Sequence, residues 1–198
     1  MEKKHESTAK AELKPTLWRT ARALANADRL ELLRLVYEAK SKQNVTDLAK
    51  RVNLAIPTTS TYLRALNARG LISVVRSGSF VFYGTNSDRS LPVAAAIQSA
   101  FFHFFRTTKL SRGWSQKYVS LFKGYAHPRR ENIIRCLKGK SLLTFGEIHQ
   151  KSGIHPIALL RHLAFLLKAG IITRDEEHHY TLVQPSDIIA STILKSLQ

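Results

Sequence analysis

A run of small hydroxyl residues in the first half of the chain has side chains suited to hydrogen bonding with DNA bases. Residues 57–62 read PTTSTY, and Arg64 follows two positions later. Hydroxyl groups can pair with donor or acceptor edges of bases, threonine methyls can contact thymine, and arginine can reach guanine or a phosphate. A helix that exposes this run therefore has the chemistry to enter a major groove.

Further candidate contacts flank this run on both sides. Thr46, Lys50 and the helix start near Pro57 are suited to phosphate, and Arg76 is suited to phosphate or the minor groove. The alternatives are a capping role for Thr58 and half-burial for Tyr62. The full candidate DNA-binding set is Thr46, Lys50, Pro57, Thr58, Ser60, Thr61, Tyr62, Arg64, Arg76 and Ser77.

Residues 48–83 have the pattern needed to position these side chains. Leucine and valine recur at a helical period and stop at Gly70, where glycine can adopt the left-handed conformation. Residues 73–75 and 80–83 are β-branched and aromatic runs around Arg-Ser-Gly-Ser, which predicts a hairpin. The order is helix, turn, recognition helix over 57–69, and two strands, which is a winged helix-turn-helix.

Helices are also predicted before this segment. Pro15 suits the first turn of a helix, and Asn26 can cap a second helix that runs to about Ala39. Residues 41–44 are predicted as a loop. Thr46 is predicted to cap a third helix over residues 47–52.

The second half of the chain repeats the first at a shift of 100 to 101 residues. Leu48 matches Ile148, and Gly70-Leu71-Ile72 matches Gly170-Ile171-Ile172. This register predicts a tandem duplication. The fold class is mostly α with small β-wings (α+β), with two winged helix-turn-helix domains joined by an apolar helix. The predicted parts are a flexible N-terminus (1–14), a winged helix domain (15–86), a helical connector (87–125) and a second, degenerate winged helix domain (126–198).

The connector combines an apolar helix with many cations. Residues 91–107 are apolar nearly all round, so the helix needs burial on several sides. It is predicted to bridge the two lobes or to form a homodimer interface, the alternative being burial within one lobe. Five cations are predicted to add non-specific phosphate contacts: Arg106, Lys109, Arg112, Lys117 and Lys123.

The composition favours a polyanionic partner and a cytoplasmic location. Lysine plus arginine number 31 against 14 acids, a formal net charge of +17. That excess favours nucleic acid first and an acidic membrane surface second. The single cysteine, Cys136, excludes an internal disulfide, and the polar N-terminus lacks a signal-peptide pattern. The longest apolar run, residues 91–105, is too short and too interrupted to span a bilayer.

The second lobe keeps the apolar pattern but differs on its outer surface. Ser60 becomes Leu160, Arg64 becomes Ala164, and the wing turn carries three consecutive acids at 175–177. Residues 141–198 hold five bases and five acids, whereas the rest of the chain is strongly basic. We therefore predict that this lobe serves packing, dimerisation or effector binding. A rival hypothesis is that Arg161 and His162 still read DNA, so that one chain acts as a pseudo-dimer.

The segments LWRTARALANADRLELLRLV (17–36) and VTDLAKRVNLAIPTTSTYLRALNARGLISVVRSGSFVFY (45–83) resemble the ArsR-type (arsenical-repressor-like) bacterial winged helix regulators. The resemblance covers roughly residues 15–85, and RHLAFLLKAG (161–170) is a more divergent second copy. It implies a homodimer, here through the N-terminal and connector helices, that binds double-stranded operator DNA through the recognition helix and wing and represses transcription. Many members release DNA on binding a metal.

The residues predict neither a metal site nor an enzyme. Residues 46–52 lack the cysteines of metal-sensing members, His103 stands alone, and His178 and His179 are adjacent on a predicted wing strand. No glycine-rich phosphate loop or paired-acid cluster is present, so we predict no cofactor. Two alternatives to a sequence-specific repressor remain: a non-specific nucleic-acid or chromatin-binding protein, and a winged-helix protein-interaction module.

Overall fold

The computed structural model describes residues 16–78, 80–85, 91–139 and 142–197, and these contain ten helices and five short strands. The first lobe (residues 16–85) contains α1 (Leu17–Leu24), α2 (Ala27–Glu38), β1 (Gln43–Asn44), α3 (Val45–Val52), α4 (Ile56–Asn67), β2 (Ser73–Ser77) and β3 (Phe80–Gly84). The connector contains α5 (Pro92–Thr107) and α6 (Trp114–Tyr125). The second lobe (residues 126–197) contains α7 (Pro128–Leu137), α8 (Phe145–Ser152), α9 (Pro156–Lys168), β4 (Ile172–Arg174), β5 (Tyr180–Leu182) and α10 (Ile188–Lys195). The predicted fold class is confirmed, while the predictions for residues 1–14 and Pro15 lie outside the described residues.

Local signals set the helices of the first lobe. The Asn26 side chain accepts a hydrogen bond from the Arg29 backbone N–H at 2.9 Å and caps α2, as predicted. Helix α4 is followed by a turn in which Gly70 has a φ of +69°, the conformation predicted for a glycine at a helix end. The Gly70 position is also crowded, because a Cβ there would lie 2.6 Å from Leu91 Cδ1.

Several predicted boundaries of this lobe were wrong. Helix α3 begins at Val45, and its cap is Asn44, whose side chain accepts from the Asp47 N–H at 2.8 Å; Thr46 lies inside the helix. The predicted loop at 41–44 ends in strand β1, because Gln43 and Asn44 pair with Tyr83 and Phe82 of β3. Helix α4 begins at Ile56 and ends at Asn67 rather than spanning 57–69.

The wing of the first lobe is a three-stranded antiparallel sheet in the order β1-β3-β2. Strands β2 and β3 pair in a register that sets Val74 opposite Tyr83 and Arg76 opposite Val81. Tyr83 is buried against the lobe core, while Arg76 and Phe80 are exposed near the hairpin turn. One end of the sheet is therefore held against the lobe core, and the hairpin turn at the other end is exposed to solvent.

The second lobe has the same order of elements. Helices α7, α8 and α9 are followed by the hairpin β4–β5, as α2, α3 and α4 are followed by β2–β3. A capping box between Thr144 and Glu147 starts α8, and Gly170 has a φ of +66° after α9. His178 and His179 lie before β5 rather than on a strand, and His178 has a φ of +68°, so the predicted wing-strand placement was wrong.

One arginine contact recurs in both halves at a shift of 101 residues. The Arg29 guanidinium donates to the backbone carbonyls of Ala23 and Arg22, at the end of α1. The Arg130 guanidinium donates to those of Gly124 and Lys123, at the end of α6. The sequence analysis assigned helix α6 to the connector. Its contact with Arg130 of α7 is equivalent to the contact of α1 with Arg29 of α2.

The two halves pack through matching helices. Helix α1 packs against α6, and α5 packs against α10 and α2. The backbone N–H of Trp18, in the first lobe, donates to the Glu131 carboxylate of the second lobe at 3.0 Å. Aromatic rings fill the contact between α5 and α6: Phe101 stacks with Phe122 at 6.0 Å, and Phe104 meets Tyr118 edge-on at 5.1 Å.

Consequently, the apolar faces of the N-terminal helix α1 and the connector helix α5 are covered within the chain. Residues 91–107 were predicted to bridge the two lobes, and α5 packs against a helix of each lobe. The homodimer through α1 and α5 stays a prediction. None of the helices in the described residues is long and apolar enough to cross a membrane.

Candidate nucleic-acid interface

Helix α4 presents a polar face because its apolar residues point into the lobe. Leu63 and Leu66 are completely buried, and the Thr59 hydroxyl donates to the Ala55 carbonyl at 3.1 Å. Pro57, Thr61 and Arg64 are exposed on the opposite side, which a spacing of three to four residues places on one face. The structure thus brings the central predicted contact residues together on solvent-exposed helix surface.

Intrahelical hydrogen bonds order this polar face. The Thr61 hydroxyl donates to the Pro57 carbonyl at 3.0 Å. Arg64 lies along its own helix, with Nη2 3.4 Å from Thr61 Oγ1 and Nε 3.4 Å from the Ser60 carbonyl oxygen. These are long hydrogen bonds at an exposed position, so Arg64 can exchange them for an external acceptor at small cost.

Tyr83 supports the α4 face from beneath, and the sequence reasoning missed it. Burial raises the pKa of Tyr83, an effect opposed by the Arg64 charge and by a hydrogen bond with the Ser60 side chain. Ser60 is accordingly half-buried and tied to strand β3. The available signal was Tyr83 itself, a phenol near the end of β3, the second strand after the recognition helix.

The remaining first-lobe candidates divide into exposed and packed residues. Thr46, Lys50, Arg76 and Ser77 are exposed. Thr58 and Tyr62 are half-buried, and Thr58 lies within α4, whose first turn has no side-chain cap. The Tyr62 ring lies 5.4 Å from the Arg29 guanidinium carbon, a cation–π distance, so packing against α2 occupies one part of this side chain.

The wing carries one exposed aromatic residue that the sequence analysis used only as a strand former. Phe80 is 64% exposed and pairs with Ser77 beside the hairpin turn. Apolar side chains at such positions can contact sugars or wedge between base steps in the minor groove. Phe80 therefore joins Arg76 and Ser77 among the exposed groups of the wing.

The five connector cations are all exposed, and one of them is paired. Lys117 Nζ lies 3.1 Å from the Asp187 carboxylate, so binding to a phosphate would have to compete with that ion pair. Arg106 ends α5, and Lys109 and Arg112 lie in the segment between α5 and α6. These three cations form a short basic stretch at one end of the connector.

The equivalent surface of the second lobe has different chemistry. On α9, Ile157 and Leu160 are 63% and 55% exposed at the positions of Pro57 and Ser60, and Ala164 is exposed at the position of Arg64. The acids Asp175, Glu176 and Glu177 are exposed in the hairpin turn. Aliphatic side chains beside carboxylates do not suit a phosphate backbone.

His162, a residue of the rival hypothesis, packs beside a second histidine ring. Its ring is half-buried 4.7 Å from that of His127, whose Nδ1 accepts a hydrogen bond from the Arg129 N–H. Burial first, and then the neighbouring His127 and arginine charges, lowers the pKa of His162 to about 4. The imidazole is therefore neutral near pH 7 and offers no charge to a phosphate.

Within the described residues, no three histidine, cysteine, aspartate or glutamate side chains come together in a group that could hold a metal ion. Cys136 is half-buried in α7, and burial raises the pKa of its thiol. A raised pKa favours the thiol over the reactive thiolate.

The solved structures with partial similarity to this chain include two that are described here, and no curated protein matches it. One is the homodimeric winged helix-turn-helix DNA-binding domain of Mb0332 from Mycobacterium bovis, described as a possible ArsR-family transcriptional regulator; it is 24% identical, covers 56% of this chain and 100% of its own, and has a TM-score of 0.36. The other is human N-acetylserotonin methyltransferase in complex with SAM, which is 14% identical over 86% of this chain and 49% of its own, with a TM-score of 0.32.

A family comparison identifies the segment that carries the polar face. The model of the MarR family matches residues 26–79, which run from the cap of α2 to the turn of the wing. The ArsR type predicted from the sequence and the second repeat are not matched, so both stay predictions. Residues 26–79 are therefore similar to a MarR-family winged helix domain, and this match supports a DNA-binding transcription regulator.

Proposed function

We propose that this protein is a sequence-specific regulator that represses transcription by reading double-stranded DNA through α4 and the wing of the first lobe. The observation that carries the proposal is the exposed face of Pro57, Thr61 and Arg64 on the second helix of a helix-turn-helix. In this motif the second helix lies in the major groove and its exposed side chains contact base edges. The formal net charge of +17 supplies attraction to the phosphate backbone.

Each exposed group has a specific task in the proposal. Arg64 reads guanine or holds a phosphate, and Thr61 offers a hydroxyl and a methyl to the base edges. Lys50 and Thr46 on α3 hold the phosphate backbone, because the first helix of the motif crosses it. Arg76 contacts the adjacent phosphate backbone or the minor groove from the wing, with Ser77 and Phe80 beside it.

The connector cations extend this attraction beyond the first lobe. Arg106, Lys109, Arg112 and Lys123 are exposed and can approach phosphates. Lys117 contributes less, since Asp187 already holds its ammonium group. These contacts raise affinity without selecting sequence.

The family resemblance implies a homodimer through the N-terminal and connector helices. In this chain those helices pack against helices of the same molecule, and we propose that a single molecule uses this packing. The contacts of α1 with α6 and of α5 with α10 join equivalent helices of the two halves. One chain therefore presents one polar reading face and one apolar counterpart. A cytoplasmic location follows from the proposed role.

Sequencing of genomic fragments retained by the purified full chain tests the function. We expect enrichment of a defined motif over the input DNA, persisting in excess non-specific competitor, because direct base contacts discriminate by about 1–3 kcal/mol each. Binding without enrichment would contradict a sequence-specific regulator and favour the non-specific nucleic-acid alternative.

A further inference from the structure

We propose that a cavity between α6, α10 and the end of the second-lobe hairpin binds a small primary amine that carries one apolar ring. The cavity has a volume of about 160 Å³. An engineered cavity of about 150 Å³ in another protein binds benzene, so the space suits one six-membered ring. The apolar part of the lining is formed by Leu121, Tyr125, Ile171, Leu182, Ala190 and Leu194. The inference does not depend on DNA reading.

The first lobe fills the equivalent space with one of its own side chains. Leu91 lies at the N-terminal cap of α5, and a Cβ at Gly70 would lie 2.6 Å from Leu91 Cδ1. The cap of α10 in the second lobe is Asp187. A Cβ at Gly170 would meet no atom of the described residues within 4 Å, apart from its chain neighbours. The second lobe therefore leaves open the space that Leu91 occupies in the first.

The wall of this space is polar in the first lobe and apolar in the second. The Gln98 side chain of α5 donates to the carbonyls of Gly70 and Leu71 at 3.0 and 2.9 Å. Gln98 lies seven residues after the cap of α5, and the residue at the same distance from the cap of α10 is Leu194. A leucine side chain replaces the amide there, and it favours an apolar ligand body.

An ammonium group of the protein already lies at this cavity. Lys117 Nζ is 3.1 Å from Asp187 Oδ2 and 5.4 Å from the centroid of the Tyr118 ring. Burial raises the pKa of Tyr118, and the charge of Asp187 and a hydrogen bond with it act in the same direction, so the hydroxyl stays protonated. A carboxylate beside an aromatic ring is a favourable environment for an ammonium group. All three residues line the cavity.

An external amine can take the place of Lys117. The Lys117 side chain is 65% exposed and that of Asp187 is 20% exposed, so the lysine can turn into solvent while the carboxylate stays at the cavity. Asp187 is also held by the Ala190 N–H, which donates to its Oδ1 at 2.9 Å. The ammonium group of the ligand then faces Asp187, and its ring fills the apolar space. A ligand carboxylate would be repelled by Asp187, so the site selects a cation.

Titration of isotope-labelled full-length protein with benzylamine, in the absence of DNA, tests the proposal. We expect saturable shifts of the amide resonances of Gly170, Asp187 and Ala190, with a dissociation constant below about 10 mM. Phenylacetate carries the same ring and a carboxylate, and it should bind at least ~10-fold more weakly. The absence of saturable shifts at these residues, or equal binding of the two compounds, would overturn the proposal.

Two substitutions should change the affinity for benzylamine in opposite directions. Asp187→Asn keeps an oxygen that can cap α10 but removes the charge, and it should weaken binding at least ~10-fold. Lys117→Met keeps the length of the side chain but removes the competing ammonium group, and it should tighten binding at least ~3-fold. The amide spectra verify that both variants fold.

The matched control is Asp175→Asn in the hairpin turn of the second lobe, outside the cavity. The Asp175 carboxylate is exposed and, like that of Asp187, accepts a backbone N–H. We expect the affinity for benzylamine to stay unchanged. Undiminished binding by Asp187→Asn, equal weakening by Asp187→Asn and Asp175→Asn, or binding by Lys117→Met no tighter than that of the wild type would contradict the proposal. The proposed function would stand in each case, because DNA takes no part in these measurements.

Discussion

Arg64→Glu is expected to lower the affinity of the full chain for its selected duplex by roughly 100-fold. An arginine that pairs with a base contributes about 1–3 kcal/mol, and the substitution adds repulsion between glutamate and the phosphates. Arg64 is exposed and makes only long hydrogen bonds to its own helix, so the fold does not depend on it. Fluorescence anisotropy at fixed salt concentration measures the loss.

The chain supplies a matched control for this prediction 100 residues further along. Ala164→Glu introduces a carboxylate at the equivalent exposed position of α9. We expect it to change DNA affinity by less than about 3-fold, since that surface is proposed to lie away from the duplex. Equal losses from the two variants would show that both lobes approach DNA and would refute the assignment of reading to the first lobe.

Phe101→Ala is expected to destabilise the protein by about 3–5 kcal/mol. The Phe101 side chain is completely buried, and its ring stacks on Phe105 at 5.4 Å and on Phe122 at 6.0 Å. Truncation leaves a cavity between α5 and α6, in the cluster that ties the two halves together. Typical domains have only about 5–15 kcal/mol of total stability, so the loss should be large in urea denaturation.

His103→Ala provides the control within the same helix. His103 is exposed on α5, two residues from Phe101, and its replacement should change the free energy of unfolding by no more than about 0.5 kcal/mol. A similar, small effect from both substitutions would mean that the α5–α6 cluster does not hold the chain together.

The sequence predicted those parts of the site that depend on local pattern. The spacing of Leu63 and Leu66 predicted which side of α4 faces inward. Pro57, Thr61 and Arg64, which lie on the opposite side, form the polar face. Asn26 and Gly70 marked helix ends because capping and left-handed conformation are properties of single residues. These signals require no knowledge of the rest of the chain.

Other features depend on choices that local pattern does not settle. Asn44 and Thr46 are both good capping residues, and the pairing of Asn44 with Phe82 decides between them. The apolar faces of α1 and α5 showed that these helices need partners, but an apolar face does not say which helix covers it. The packing of the two lobes within the chain determines which helices cover these faces. The exposure of Leu160 can likewise be recognised only from the packed structure.

The contact between Tyr83 and Ser60 is a third case. The two residues are separated by a helix end and a hairpin, so no short-range pattern links them. Their hydrogen bond joins α4 to strand β3, which itself packs against α2 and α3. It assigns Ser60 a role in holding α4 against the wing in addition to its proposed contact with DNA.

Amide chemical-shift mapping tests the division of labour between the two lobes most directly. Isotope-labelled full-length protein is titrated with the selected duplex, and the backbone amides of α4 and α9 are followed in the same spectra. We predict that the amide resonances of Thr58, Thr61 and Arg64 and of the β2–β3 wing shift on binding. The amide resonances of Leu160, Arg161 and Ala164 should keep their chemical shifts. Shifts of equal size in α9, or shifts in α9 alone, would contradict the account.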